Sequence, residues 1–241
     1  LIAGEVWYSP SCHEMLGYVT EDTDGVTNFW RHLVHPDDLE HALADQEDMI
    51  SGRTKEYQSQ YRARRKDGSW AWIEANGHVV KRAADGTALR AVGTGRDVTL
   101  RVQAAQDKAF LDELRTGSQR LSEADAIIRF SARRLSEYLD ASRVALFEYD
   151  AERDTMIVNS EWTLPGVPSV LGEWTRATFG EPLIEAASRG EVVVIEDTAT
   201  HPSTCETGLY EILRRCGSAS FISVPLVIDG QIEAALVIVQ N

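Results

Sequence analysis

Along this chain the apolar positions fall into two blocks of near-alternation separated by a stretch of helical period. In the first block, Tyr57–Arg64, Trp70–Lys81 and Leu89–Val98 alternate well enough for half-buried strands. Lys66-Asp67-Gly68 and Asp85-Gly86 separate them, and Asp-Gly tolerates the positive φ of a hairpin turn. The second block predicts strands at Arg143–Tyr149, Met156–Trp162 and a buried one at Glu191–Glu196. It ends on a hairpin, Ser220–Ile228 and Gln231–Val239 around Asp229-Gly230, with Thr163–Phe179 reading as loop.

Helices frame these strands. A short strand, Glu5–Ser9, precedes a helix over Ser11–Gly17, and an acidic loop follows from Tyr18 to Gly25. Pro36 suits a first helical position, Asp37 and Asp38 suit the positive end of the dipole, and that helix runs to about Ile50. Between the blocks, Arg96–Thr116 is rich in helix formers, with no Pro or Gly before Gly117. Leu100, Leu114, Leu121, Ile128 and Leu135 share one seven-residue frame; Ala104, Leu111, Ala132 and Leu139 fall four residues on. Asp107, Ser118 and Asp125 interrupt that stripe, so two readings stay open: a parallel dimeric helix, or amphipathic helices packed on their own domain. Ala126–Leu139 is an amphipathic helix with Ile127, Ile128, Leu135 and Leu139 on its buried face. Pro182–Arg189 and Cys205–Arg215 complete the set. The expected class is α+β: two domains, each a central antiparallel sheet flanked by helices, joined by a helix.

At 241 residues and 43% hydrophobic content the chain can bury two cores, and no apolar run is long enough to span a bilayer. Its start without Met and its end just after a strand read as a fragment. The net charge of −14, with no lysine after Lys108, argues against nucleic acid and anionic membrane as partners. Cys12, Cys205 and Cys216 are too few and too scattered for a disulfide framework and fit a reducing cytoplasm. Enzyme signatures are missing: there is no phosphate-cradling glycine loop, no G-x-S-x-G elbow and no H-E-x-x-H helix. Asp37/Asp38 and Glu196/Asp197 are adjacent pairs that point apart. His35 reads as part of a helix start, and His32 with His35 lacks further ligands at metal spacing.

The order and spacing of LGY at 16–18, HPDD at 35–38, SG at 51–52, YRARRKDGSWAW at 61–72 and GTGRDVT at 93–99 resemble a PAS domain of the His-Pro-Asp-Asp kind over residues 1–99, with its first strand missing. The resemblance implies sensing, dimerisation and a small cavity between sheet and short helices, for which Trp30, Tyr61 and Trp72 are candidate lining residues. It also assigns Asp97 and Thr99 to the junction that ties the last strand to the exit helix, where Thr99 equally suits a helix N-cap. The cysteine motif of flavin-binding light sensors is absent, and the context of His35 argues against haem.

After a linker over 100–121, residues 122–241 resemble a GAF domain without its closing helix. ASRVALFEYD at 141–150, VVVIEDT at 192–198 and SFISVPLVIDGQIEAALVIV at 220–239 carry this. Trp162, Trp174, Phe179 and Phe221 are the candidate pocket residues. A covalent bilin would need a Cys-His pair near Gly208, which Cys205 and Cys216 do not supply. Those two are expected eleven residues apart on one helix, too far for a disulfide, which argues against a reductase built on this fold. Together the resemblances imply a non-enzymatic sensory input region of a bacterial sensor histidine kinase. It would be homodimeric through the PAS domain and linker helix, with a possible small-molecule ligand and no metal. The alternatives are a ligand-free interaction module, its pockets filled by bulky residues such as Trp70, and the input region of a diguanylate cyclase.

Overall fold

The computed structural model describes residues 7–22, 29–205 and 209–241. The chain forms two compact units, divided between Lys108 and Ala109. Both are α+β units built on antiparallel sheets.

In the first unit the short helices α1 (Pro10–Glu14) and α2 (Phe29–Leu33) and the longer α3 (Pro36–Ser51) precede three strands, β1 (Glu56–Arg64), β2 (Trp70–Arg82) and β3 (Ala88–Asp97). The strands pair in the order β1-β2-β3. Local chemistry explains α3: Pro36 sits in its first turn and His35 Nδ1 accepts the Asp37 N–H at 3.2 Å. Gly52 ends it in the left-handed conformation at φ 84°, where a side chain would be strained. One face of the sheet carries Ala63, Ala71 and Ile73, which pack with Leu16 and Leu33 into the core. The edge of β1 is held by a bidentate pair in which Arg62 Nε and Nη2 donate to Asp38 at 2.8 and 2.7 Å. The Arg62 N–H donates to the same carboxylate at 2.8 Å. The strand expected at Glu5–Ser9 is not present over Trp7–Ser9, and Glu5 lies outside the described residues.

The helix α4 (Thr99–Ser118) leads out of β3. It does not stop at Gly117. A Cβ on Gly117 would lie 2.2 Å from the Phe130 ring, so this glycine lets the last turn of α4 approach its neighbour. That neighbour is α5 (Ala124–Leu139), which lies in the second unit with the last half of α4.

The strands of the second unit are β4 (Arg143–Asp150), β5 (Thr155–Thr163), β6 (Gly172–Thr175), β7 (Val193–Ile195), β8 (Ser220–Ile228) and β9 (Gln231–Gln240). They form one sheet in the order β6-β5-β4-β9-β8-β7. The helices α6 (Glu181–Ser188), α7 (Pro202–Cys205) and α8 (Leu209–Arg215) lie in its connections. The β8–β9 turn has Asp229 and Gly230 both at positive φ, as the Asp-Gly pair requires.

Several expectations need correcting. The loop over Thr163–Phe179 contains β6 and a 3-10 turn, anchored by Trp174 Nε1 donating to Val170 O at 2.9 Å. The strand β7 is short and half-exposed because it sits at a sheet edge, with Val192 and Val194 open. On α5 the buried positions are Ala132 and Ser136, while Leu139 is exposed. The helix lies close to the sheet where its residues are small, and Ser136 Oγ donates to Ala141 O at 2.6 Å as the chain turns toward β4. Cys205 closes α7 and Cys216 follows α8, so the two do not share one of these helices.

Candidate functional site

Two places bring chemistry-bearing residues together, one in each unit.

In the second unit, strand alternation gives the sheet two different faces. Val144, Leu236 and Ile238 face α5 and pack with Ala132 and Ala141. Ala145, Phe147, Met156, Val158 and Ala235 face the other way. On that side, under α6 and α8, lies a cavity of about 110 Å³. Trp174, Phe179 and Phe221, expected at a pocket, all line it, together with aliphatic residues such as Leu183, Ile212 and Val237. Phe147 and Phe179 meet edge to face at 5.8 Å. Trp162 is not among the lining residues; it packs on the α5 face instead. The reason is a register shift in β4–β5 between Leu146 and Glu148. Met156 and Val158 lie on the cavity side of the sheet, but beyond the irregularity Glu161 takes that side and Trp162 is turned to the opposite face.

The cavity also has a charged wall, which apolar patterning alone does not reveal. Arg143 is 1% exposed and lines it. Its Nη2 donates to Pro168 O and, at 2.6 Å, to Cys216 O; its Nη1 donates to Ser218 Oγ at 3.2 Å. The Glu161 carboxylate lies 3.8 Å from Nε and accepts the Val170 N–H at 3.0 Å. Burial pulls the guanidinium's pKa below its usual range, and the negative charge of Glu161 opposes that pull. A signal was available: Arg143 shares its alternation with Ala145 and Phe147, an apolar face on which a charge must find partners.

In the first unit, Asp97 and Thr99 sit at the sheet-to-helix junction. Asp97 Oδ1 accepts the Thr99 N–H at 2.9 Å and the Thr99 hydroxyl at 2.6 Å. Thr99 Oγ1 in turn accepts the Trp72 N–H at 2.9 Å. Arg65 donates to the other Asp97 oxygen through Nη2 and to Met15 O through Nη1, the latter at 2.8 Å. The Thr99 side chain therefore acts as a tie to β2, while Asp97 satisfies the first helical N–H. Burial alone would raise the Asp97 pKa; the bonds from Thr99 and Arg65 outweigh it and lower the net value.

The remaining candidates in this unit do not converge. Trp30 and Tyr61 are neighbours, with ring centroids 6.1 Å apart, and burial pushes the Tyr61 phenol far up. Trp72 pairs with Arg62 in register, and Tyr61 with Ile73, so Trp72 points to the opposite face. The Arg62 guanidinium lies over the Trp72 ring at 5.6 Å. Among the described residues, no three His, Cys, Asp or Glu side chains gather as a metal site, and no helix is long and apolar enough to cross a membrane.

A family model for the PAS fold matches residues 5–95, and one for the GAF domain matches residues 123–241. No curated protein matches the chain. Among solved structures, similarity is found to a free methionine-R-sulfoxide reductase from Neisseria meningitidis in complex with its substrate, at 22% identity and a TM-score of 0.46, over 57% of this chain and 75% of that one. A phycocyanobilin-bound GAF domain from a cyanobacterial phytochrome is 19% identical with a TM-score of 0.47, over 55% and 79%. The chromophore-binding domain of a Stigmatella aurantiaca bacteriophytochrome is 15% identical with a TM-score of 0.46, over 96% and 80%.

Proposed function

We propose that this chain, a PAS domain followed by a GAF domain, is the cytoplasmic sensory input region of a bacterial two-component sensor histidine kinase, and that α4 relays the state of its sensory domains. Both family matches are to sensory modules, which supports a signalling input. The observation that carries the relay is the anchoring of one helix at both ends. At its start, Asp97 and Thr99 lock α4 to β2. In its second half, Phe110 stacks on Tyr138 of α5 at 4.0 Å, and Arg134 of α5 donates to Glu113 at 2.8 Å. The opposite face of the sheet under α5 forms the cavity wall. A ligand that binds one arrangement of that sheet better than another biases α5, and α5 biases α4.

The homodimer belongs to this reading. Leu100 is 83% exposed and Leu111 62%, with the exposed Ala104 between them on the same heptad stripe. A second copy of α4 covers that stripe. The same relay would serve a diguanylate cyclase, so the test reads the output directly. In the full-length protein, Asp97→Ala with Thr99→Ala should abolish the dependence of kinase output on ligand while the ligand's affinity for the GAF domain stays within about twofold. A ligand response equal to that of wild type would sink the relay.

A further inference from the structure

We infer that the GAF cavity takes a compact, uncharged, predominantly apolar molecule of about benzene size, and takes neither a cyclic nucleotide nor a tetrapyrrole; this rests on the sensory reading above and names the chemistry of its ligand. Size sets the first limit. The cavity measures about 110 Å³. An apolar protein cavity of about 150 Å³ stays dry and binds benzene or xenon. The space here is smaller, far below the several hundred Å³ of drug-sized pockets. Water is a poor occupant, because each buried water needs two to four polar partners and the lining is mostly aliphatic and aromatic.

Charge sets the second limit. The cation at the wall, Arg143, is largely engaged: its Nε has no hydrogen-bond partner but faces the Glu161 carboxylate at 3.8 Å, and its terminal nitrogens are tied down. Both Nη2 hydrogens go to backbone carbonyls, of Pro168 and Cys216, and Nη1 reaches Ser218 Oγ. Glu161, itself 8% exposed at its side chain, supplies the compensating negative charge. An anionic ligand would place a second negative charge against one buried cation, with little water to screen it. The carbonyls that hold Arg143 belong to the 164–171 connection and to the segment after α8, so the guanidinium ties these two segments together. Displacing it to meet a phosphate would break both ties. A neutral apolar molecule leaves this arrangement intact and gains by burial alone.

The test uses the whole chain. Benzene and, separately, cyclic GMP are titrated into it while methyl NMR signals of Ile, Leu and Val are followed, with thermal unfolding recorded alongside. Benzene should move the Leu183, Ile212 and Val237 signals and raise the GAF Tm by about 3–6 °C at ten times its Kd. Cyclic GMP should move neither. Ala235→Leu, which fills the cavity from β9, should remove the benzene response while the Tm of the free protein stays near wild type. Ser223→Leu, from β8, repeats the test if the first variant does not fold. Cyclic GMP shifting the same methyls with benzene silent would overturn the inference on ligand chemistry and leave the sensory reading standing. Silence to both would overturn the inference, while the junction variants still judge the relay separately. A benzene response that survives in both filled variants would place the ligand elsewhere and likewise overturn it.

Discussion

Each unit keys one arginine into its sheet, and the two are built in opposite ways. Arg62 in the PAS unit stays partly exposed and makes a forked pair with Asp38, both oxygens engaged at 2.7–2.8 Å. Arg143 in the GAF unit is buried, and its donors are divided among two carbonyls and a hydroxyl. Its carboxylate partner stands off at 3.8 Å. The first geometry is a clamp on a sheet edge, where solvent shares the cost of the charge. In the second the charge is held inside, where burial alone is unfavourable and connecting segments must supply the solvation that water would. The difference teaches where each unit can respond: the PAS edge is locked shut, whereas the GAF interior keeps a space whose wall is a polar tie between loops.

The largest test of this contrast is Arg143→Met. It leaves Glu161 buried without its cation, and the GAF unit should lose about 3–5 kcal/mol by denaturant unfolding. Adding Glu161→Gln should recover more than half of that loss, and no recovery would mean the ion pair is not what Arg143 supplies. Next in size is Gly117→Ala, whose Cβ would overlap the Phe130 ring. Crowding should cost about 1–3 kcal/mol and lower the GAF Tm; Phe130→Leu in the same chain should restore it.

The Asp38–Arg62 clamp makes a smaller, pH-dependent contribution. The side-chain and backbone bonds from Arg62 hold the Asp38 carboxyl at about 2, below its usual 3.8. A depressed carboxylate stabilises the fold fully above its unfolded pKa and loses that effect as pH falls through the folded one. Between about pH 4 and 2 the PAS unit should therefore lose about 1–2 kcal/mol, and Asp38→Asn should remove this part of the acid dependence. An unchanged acid-unfolding curve in that variant would show that the clamp carries no energetic weight.

Locally encoded features were open to sequence reading. The start of α3 follows from His35-Pro36-Asp37-Asp38, and the β8–β9 turn from Asp229-Gly230, because each is decided by backbone chemistry within four residues. Trp174, Phe179 and Phe221 could be singled out as large apolar residues near strands, and the fold gathers them at the cavity. What escaped depends on register and on partners distant in sequence. Strict alternation places Trp162 with Met156 and Val158, and only the irregularity in β4–β5 reverses it. Phe110 falls outside the heptad frame, yet it is the buried residue of α4 because it meets Tyr138. Thr99 suits a cap by sequence, but Asp97 accepts the helical N–H, and Thr99 Oγ1 accepts instead from Trp72, a partner 27 residues away on β2. Arg143 was visible as a charge on an apolar face; its acceptors come from segments about 25 and 75 residues away in sequence, which no local pattern reveals.

The most direct test of the central claim is hydrogen–deuterium exchange of the whole chain with and without saturating benzene. The account predicts that occupying the GAF cavity changes the protection of α4 along its length, from Phe110–Ser118 back to the amides near Val102. In the Asp97→Ala, Thr99→Ala variant the change should stop short of Val102. Benzene bound in the cavity with α4 protection unaltered in the wild-type chain would contradict the relay.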